Sequence, residues 1–318
     1  MFFVNTITDT AFEKVVLFDD VTNTSAAIIP SCGAILHAFT VLHNGTAINI
    51  VDGYNSQTDF ENCVAEKGFK SCKLSPFACR INNATYQFEG RQYFIEKFLL
   101  NGSALHGLIY DAVFSVTKNW ANEDGAGVEL YYQYKATDNG YPFTYTCKVV
   151  YELKKDSALT ITTAITNTHH AAIPMQDGWH PYFSFGGSVN ELQLLLNSTS
   201  MVAFSEALIP TGDLVNYTDF EQLRPIGKTE LDNCFVLKTA STGPSCLLKD
   251  DNQQIQLEIY ADKSYPYLQI YIPPHRNSIA IENLSAPPDA FNNNMGLIVL
   301  QPASTIHFTT TYKITSLL

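Results

Sequence analysis

The chain alternates short runs of apolar and polar positions with clusters of Asn, Asp and Gly. Near the N-terminus, such runs cover residues 12–18, 26–29, 34–41 and 47–51. Short runs rich in β-branched and aromatic residues, bounded by turn residues, are typical of β-strands. This part of the chain therefore predicts four strands joined by short connections.

The same pattern continues to the C-terminus and predicts an all-β fold. A hairpin is expected at 84–88 and 91–95, closed around Glu89-Gly90. Residues 55–64 open with polar side chains and favour either one short helix or an irregular loop. Because no linker-like segment interrupts the chain, we expect one domain over residues 1–318. The remaining strands are predicted at 111–118, 127–135, 143–153, 158–168, 191–196, 201–204, 253–261, 265–272, 279–282, 296–300 and 304–314.

Composition and charge describe a well-buried globular protein. Hydrophobic residues make up 46% of the chain and charged residues only 16%, which argues against disorder. Lys and Arg number 19 against 31 Asp and Glu, giving a formal charge of −12. Such a charge repels phosphate backbones and anionic membrane surfaces, so we expect neither nucleic acid nor a membrane as a partner.

The seven cysteines form no C-x-x-C pair, and their number is odd. This favours neither a full disulfide framework nor a zinc knuckle, so we expect reduced, mostly buried thiols and no bound metal. The N-terminal residues lack both a basic region and a long apolar core, and no later segment is long enough to span a bilayer. We therefore expect a cytoplasmic protein.

Residues 279–293, IAIENLSAPPDAFNN, combine a short strand pattern with one acid and a proline-rich turn. Proline lacks the N–H that a strand ladder needs, so we expect the strand to end at Glu282, before Pro287 and Pro288. A carboxylate there sits on rigid backbone and faces a loop. Such a position suits a general base, whose geometry must be held while its proton partner comes and goes. A solvated acid at a strand end is the alternative.

Four segments together resemble the aldose 1-epimerase (galactose mutarotase) family. They are ALHG at 104–107, DGWHPYF at 177–183, LDNCFV at 231–236 and residues 279–293. They occur in that family's order and at similar spacings, so the resemblance covers nearly the whole chain. It implies the large antiparallel β-sandwich of the galactose mutarotase-like superfamily.

The resemblance also implies roles for five residues. Glu282 corresponds to the general base and His180 to the general acid, whereas His106, Asp232 and Arg80 correspond to partners of the sugar hydroxyls and ring oxygen. An imidazole can donate a proton near neutral pH, which agrees with the acid role. The alternatives are structural histidines, a turn-forming aspartate and an ordinary rim arginine.

Two of these segments depart from the family pattern. Only the end of the family's G-R-x-x-N-R-I pattern is present, as Cys79-Arg80-Ile81, and Ser103 stands where the N-x-L-H-G loop usually has Asn. A glycine directly after His106 still lets the backbone turn sharply and leaves room for a ligand.

The implied activity is the exchange of α and β anomers of a free aldohexose such as glucose or galactose, by acid and base catalysis without metal or redox cofactor. Two alternatives remain open. A noncatalytic carbohydrate-binding β-sandwich would not need Glu282 and His180 together. A hexose-6-phosphate 1-epimerase would need additional Arg or Lys around the phosphate, and the chain has only four arginines, at 80, 91, 224 and 276.

Overall fold

The computed structural model describes residues 1–238 and 243–317, whose regular secondary structure is almost entirely antiparallel β-strand. This confirms the predicted all-β class. The described residues also form two short helices, α1 (Gln57–Cys63) and α2 (Ala290–Asn293), and two 3₁₀ turns, Asn82–Ala84 and Val189–Glu191. The strands are β1 Phe2–Thr8, β2 Glu13–Asp19, β3 Thr24–Ile29, β4 Ile35–His43, β5 Thr46–Asn49, β6 Lys73–Leu74, β7 Arg80–Ile81, β8 Thr85–Phe88, β9 Arg91–Phe94, β10 Leu99–Leu100, β11 Ser103–Leu105, β12 Ser115–Ala121, β13 Gly125–Lys135, β14 Thr144–Lys154, β15 Ala158–Asn167, β16 Ile173–Met175, β17 Gly178–Trp179, β18 Tyr182–Phe183, β19 Gln193–Leu196, β20 Ser198–Phe204, β21 Pro210–Asn216, β22 Arg224–Pro225, β23 Asp232–Leu237, β24 Cys246–Asp250, β25 Ile255–Ala261, β26 Tyr267–Tyr271, β27 Ile279–Leu284, β28 Ile298–Leu300 and β29 Thr305–Ser316.

Two large sheets form the body of the protein. One has nine strands in the order β12-β13-β14-β15-β29-β25-β24-β19-β22. The other has eight strands, in the order β21-β20-β23-β26-β27-β17-β6, with β18 also paired to β27. Smaller sheets are formed by β1 to β5 in sequence, by β10-β11-β7, by β8-β9 and by β16-β28.

The two large sheets pack face to face, and β27 lies where they meet. Successive side chains of a strand point to opposite faces of its sheet. On one face of β27, the Asn283 side-chain oxygen accepts hydrogen bonds from Thr310 Oγ1 at 3.1 Å and from the Tyr312 hydroxyl at 3.3 Å, both on β29. Ile281 on the same face belongs to the main hydrophobic core. Glu282 therefore points away from the nine-stranded sheet.

Most predicted strands are present, and the differences have local causes. The hairpin of β8 and β9 turns at Glu89-Gly90, as predicted. Residues 55–64 contain helix α1, whose N-cap Ser56 accepts from the Asp59 N–H. The strand predicted at 111–118 begins only at Ser115, because the Phe114 N–H donates to Pro30 O instead of to a sheet neighbour.

All seven cysteines are free thiols, and all but Cys63 are buried. Within residues 1–238 and 243–317, no helix is long and apolar enough to cross a membrane.

Candidate active site

A cavity of about 260 Å³ is lined by all five side chains predicted from the sequence: Arg80, His106, His180, Asp232 and Glu282. Polar groups gather on the floor of this cavity, which is formed by the eight-stranded sheet. Its walls are largely apolar and include Phe69, Leu100, Phe204, Leu208 and Pro288. A concave, mostly apolar site with a few convergent polar groups is typical of small-molecule binding.

Three neighbouring strands, β23, β26 and β27, supply the acidic part of the floor. In the strand register, Gln269 lies directly opposite Glu282, and Tyr271 lies opposite Asp232. Residues opposite one another across antiparallel strands share a face and lie close together. The sheet itself therefore brings both carboxylates to the same surface.

Glu282 is buried, and the prediction that it ends its strand is wrong. β27 continues to Leu284, because Asn283 and Leu284 still pair with β26 and Leu284 also pairs with Gly178 of β17. The Glu282 side chain is only 2% exposed. A solvated strand-end acid, the alternative reading of this position, does not fit such burial.

His180 lies beside Glu282, with its Nε2 3.2 Å from Glu282 Oε1. The flanking strands β17 and β18 both pair with the same edge of β27, so the residues between them run alongside that strand and place His180 opposite Glu282. The backbone of His180 is fixed as well: its N–H donates to Cys72 O at 3.1 Å, and its carbonyl accepts from the Ser71 N–H at 2.8 Å. A carboxylate and an imidazole at this distance form a ready pair for proton transfer.

His106 lies beside His180, with the two rings 4.7 Å apart and edge to face. It follows β11 in a left-handed backbone conformation, with φ of 60°, and its N–H donates to Cys79 O at 2.8 Å. Gly107 continues the turn, which confirms the predicted sharp turn. A Cβ there would lie 2.4 Å from Ser75 O, so the glycine makes room for the protein backbone and not, as predicted, for a ligand.

The surrounding protein keeps the His106 imidazole neutral. Burial lowers its pKa well below the ordinary value, and the nearby charges of His180 and Arg80 lower the pKa further. A neutral imidazole has one N–H donor and one acceptor nitrogen. His106 therefore suits the recognition of a hydroxyl group better than it suits proton donation.

Asp232 lies on β23 of the eight-stranded sheet, whereas Arg80 reaches the cavity from the separate sheet β10-β11-β7. Asp232 Oδ1 accepts a hydrogen bond from Gln269 Nε2 at 2.7 Å. Burial raises the pKa of Asp232, whereas the Arg80 charge and the Gln269 bond act in the opposite direction. Arg80 lies on β7, paired with Leu105 of β11, and its Nη1 donates to Ala207 O at 3.4 Å.

Two cavity residues were missed by the sequence patterns. Gln269 shares the floor with both carboxylates and is 6% exposed. Cys79 lies in contact with Glu282, its thiol donating to Oε2 at a sulfur–oxygen distance of 3.8 Å. The signal for Cys79 was its position next to Arg80, and Gln269 had none beyond its place in a predicted strand.

A buried ion pair behind the cavity was also missed. Lys73 and Asp177 are both fully buried and form a direct hydrogen-bonded salt bridge. The Tyr265 hydroxyl donates to Asp177 Oδ1 at 2.6 Å, and Lys73 Nζ donates to Gly178 O at 3.1 Å and lies 4.5 Å from the Trp179 ring. This network fixes the backbone immediately before His180.

Across the part of the chain that the structure describes, no group of three or more His, Cys, Asp or Glu side chains is arranged to hold a metal ion.

Comparisons with known proteins agree with the resemblance seen in the sequence motifs. The aldose 1-epimerase family model matches residues 15–313. The uncharacterized protein YihR of Escherichia coli K12 is 27% identical over 237 residues, which cover 72% of this chain and 73% of YihR. A maltose epimerase of Levilactobacillus brevis is 22% identical over 311 residues, 89% of each chain.

A galactose mutarotase-like protein from Clostridium acetobutylicum has the same fold. It superposes with a TM-score of 0.85 over 99% of both chains, at 18% sequence identity. This likeness confirms the predicted large antiparallel β-sandwich fold. Because the family model spans nearly the entire sequence, this chain belongs to the aldose 1-epimerase family.

Proposed function

We propose that this protein is an aldose 1-epimerase that interconverts the α and β anomers of a free aldohexose such as glucose or galactose. The observation that carries the proposal is the 3.2 Å contact between His180 Nε2 and Glu282 Oε1 on the floor of the cavity. Anomer exchange needs a base for the C1 hydroxyl and an acid for the ring oxygen. Both of these oxygens are bonded to C1, so the two catalytic groups must lie side by side.

The steps follow from this arrangement. Glu282 accepts the proton of the C1 hydroxyl while His180 Nε2–H donates its proton to the ring oxygen O5, and the C1–O5 bond breaks to give the open-chain aldehyde. After rotation about C1–C2, the O5 hydroxyl attacks the other face of C1. His180 takes back the proton of the O5 hydroxyl, and Glu282 returns its proton to the C1 oxygen, which becomes the hydroxyl of the other anomer. Each general acid or base step is typically worth about 10²–10⁴-fold in rate.

The remaining polar groups suit the hydroxyls of a sugar. Asp232 and Arg80 offer charge-assisted hydrogen bonds, which are stronger than neutral ones. Gln269 holds the Asp232 carboxylate, and the neutral His106 adds one donor and one acceptor. In this proposal, these groups bind and orient the ring, while Glu282 and His180 move the protons.

Two features support a neutral sugar and a catalytic site over the alternatives. Among the described residues that line the cavity, Arg80 is accompanied by no other Lys or Arg, whereas Asp232 and Glu282 both line it. A phosphate group would call for additional cations. The close, buried pairing of His180 with Glu282 is a feature that simple sugar binding does not require.

Polarimetry of freshly dissolved α-glucose and α-galactose tests the proposal. Purified protein in EDTA, without nucleotide, should accelerate the approach to the equilibrium rotation of at least one of these sugars, and should prefer it to its 6-phosphate. Sugar binding without acceleration over buffer would support the noncatalytic sandwich. A higher kcat/KM for glucose 6-phosphate would support the phosphosugar epimerase.

A further inference from the structure

The short helix after β27 contacts the segment that carries Arg80. Asp289 precedes this helix in a left-handed conformation, with φ of 61°, and is 4% exposed. Its side chain makes no capping hydrogen bond to its own helix. It is not among the residues that line the cavity. The carboxylate instead turns toward residues 80–85.

Hydrogen bonds join the two segments at three points. The Asp289 N–H donates to Arg80 O at 2.8 Å, and Asp289 Oδ1 accepts from the Asn82 N–H at 2.9 Å. Asn292 Nδ2 donates both to Asp289 Oδ1 at 2.7 Å and to Thr85 O at 2.9 Å. Together these bonds form what we call the Asp289 clamp, made by Asp289 and Asn292.

The clamped segment has little regular structure of its own to hold it. β7 contains only two residues, which pair with β11. Cys79, Asn83 and Ala84 all have positive φ, at 51°, 50° and 54°. Such conformations are unfavourable for most side chains and persist only where neighbouring structure enforces them.

The other side of the clamp is firmly anchored. Phe291, on the same short helix, is 3% exposed and packs in the main core, with its ring 5.0 Å from that of Tyr86 and 6.2 Å from that of Phe77. Asp289 therefore links the backbone of Arg80 to a helix that is held in place by the core. A shift of that backbone would move the guanidinium within the cavity.

We propose that Asp289 is a positioning residue that fixes Arg80 for sugar binding, an inference that rests on the proposed function. The carboxylate acts through the Asn82 N–H and the backbone of Arg80, without touching the sugar. Loss of the clamp should weaken binding of the substrate more than it slows proton transfer between Glu282 and His180.

Two substitutions at position 289 distinguish the role of the side chain as a hydrogen-bond acceptor from the need for a residue that tolerates positive φ. Asp289→Asn keeps an acceptor oxygen and a residue type that tolerates positive φ, so KM and kcat should stay within about twofold of the wild-type values. Glycine at this position also tolerates positive φ but leaves the half-buried Asn82 N–H without its acceptor. For Asp289→Gly, KM should rise about tenfold while kcat changes little.

A double-mutant cycle with Arg80→Met provides the decisive measurement. If Asp289 acts through Arg80, adding Asp289→Gly to Arg80→Met should raise KM by less than about twofold further. A further tenfold rise would mean that the two residues act independently, and would overturn the inference. Unchanged KM in Asp289→Gly would overturn it as well.

Asn292→Ala provides a milder variant if Asp289→Gly does not fold, because Asn292 is exposed. Its KM should rise about threefold in the wild-type background and hardly at all with Arg80→Met. Equal rises in both backgrounds would overturn the inference. Polarimetry of the wild-type protein separates the two proposals, since its failure to accelerate mutarotation would refute the proposed function itself.

Discussion

Replacing Glu282 by glutamine removes a proton acceptor from the cavity while conserving its shape. The glutamate side chain is 2% exposed and lies 3.2 Å from His180 Nε2 and 3.8 Å from Cys79 Sγ. Glutamine has nearly the same volume, so no cavity opens around it. One of its new N–H groups lacks a good acceptor there, which we expect to cost about 1–3 kcal/mol of folding free energy.

The effect on catalysis should be larger and of a different kind. A positioned general base is worth about 10²–10⁴-fold, which corresponds to about 3–5 kcal/mol in the activation free energy. The hydroxyl partners Asp232, Arg80 and His106 are untouched, so KM should change little. A fall in kcat with constant KM marks an interaction made mainly in the transition state.

Polarimetry with the preferred α-aldose gives kcat and KM for Glu282→Gln and the wild-type protein. Asp250→Asn provides the matched control, because this carboxylate is also buried, at 5% exposure, and accepts from the N–H groups of Asn252 and Gln253 away from the cavity. We expect wild-type kcat for the control and a kcat lowered at least about 100-fold for Glu282→Gln. Near-normal turnover of a folded Glu282→Gln variant would refute the role of Glu282 as base.

Three further changes test other parts of the molecule. Asp232→Asn keeps the Gln269 bond but loses a charge, so KM should rise about tenfold; steady-state polarimetry showing an unchanged KM would contradict a binding role. Lys73→Met leaves Asp177 buried without its cation and should lower the free energy of unfolding by about 3–5 kcal/mol. Denaturant melts should show that adding Asp177→Asn restores part of the lost free energy of unfolding. A loss below about 1 kcal/mol in Lys73→Met would contradict a stabilising pair. Because burial lowers the pKa of His106 below 6.5, the unfolded chain binds a proton there that the folded chain does not, so stability falls as the pH drops below that value. His106→Gln should make this fall shallower between about pH 7 and about pH 5 in melts across that range, and an unchanged slope would contradict a neutral native imidazole.

The features predicted correctly from the sequence are those that depend on a local pattern or on a motif. Alternation and the Glu89-Gly90 turn were enough for the hairpin of β8 and β9, and the resemblance pointed to five side chains that the structure brings to one cavity. Strand β1 was missed because most of its side chains are exposed, which weakens the alternation. The end of β27 was misjudged because pairing with β26 and β17 holds Asn283 and Leu284 in the sheet despite the prolines that follow.

Other features depend on pairing between distant segments and have no local signature. Gln269, between Leu268 and Ile270, is a polar position of the kind usually found on the solvent face of a strand, and only its register opposite Glu282 places it in the cavity. Lys73 is fully buried, which is rare for lysine unless it is paired. Its partner Asp177 is 104 positions away, so no window of sequence contains both.

The order of strands in the nine-stranded sheet has a consequence for biosynthesis. β29, the last strand in chain order, lies between β15 and β25, so the sheet cannot close until residues 305–316 have been made. Thr160 of β15 and its partner Thr311 are 151 positions apart, and at about 5–20 residues per second β15 waits roughly 8–30 s on the ribosome before that neighbour exists. During this time its edge is an open template for pairing with other chains. We therefore expect the yield of native protein to depend on chaperones that bind the nascent chain, and chains truncated before β29 to aggregate rather than to accumulate as smaller folded units.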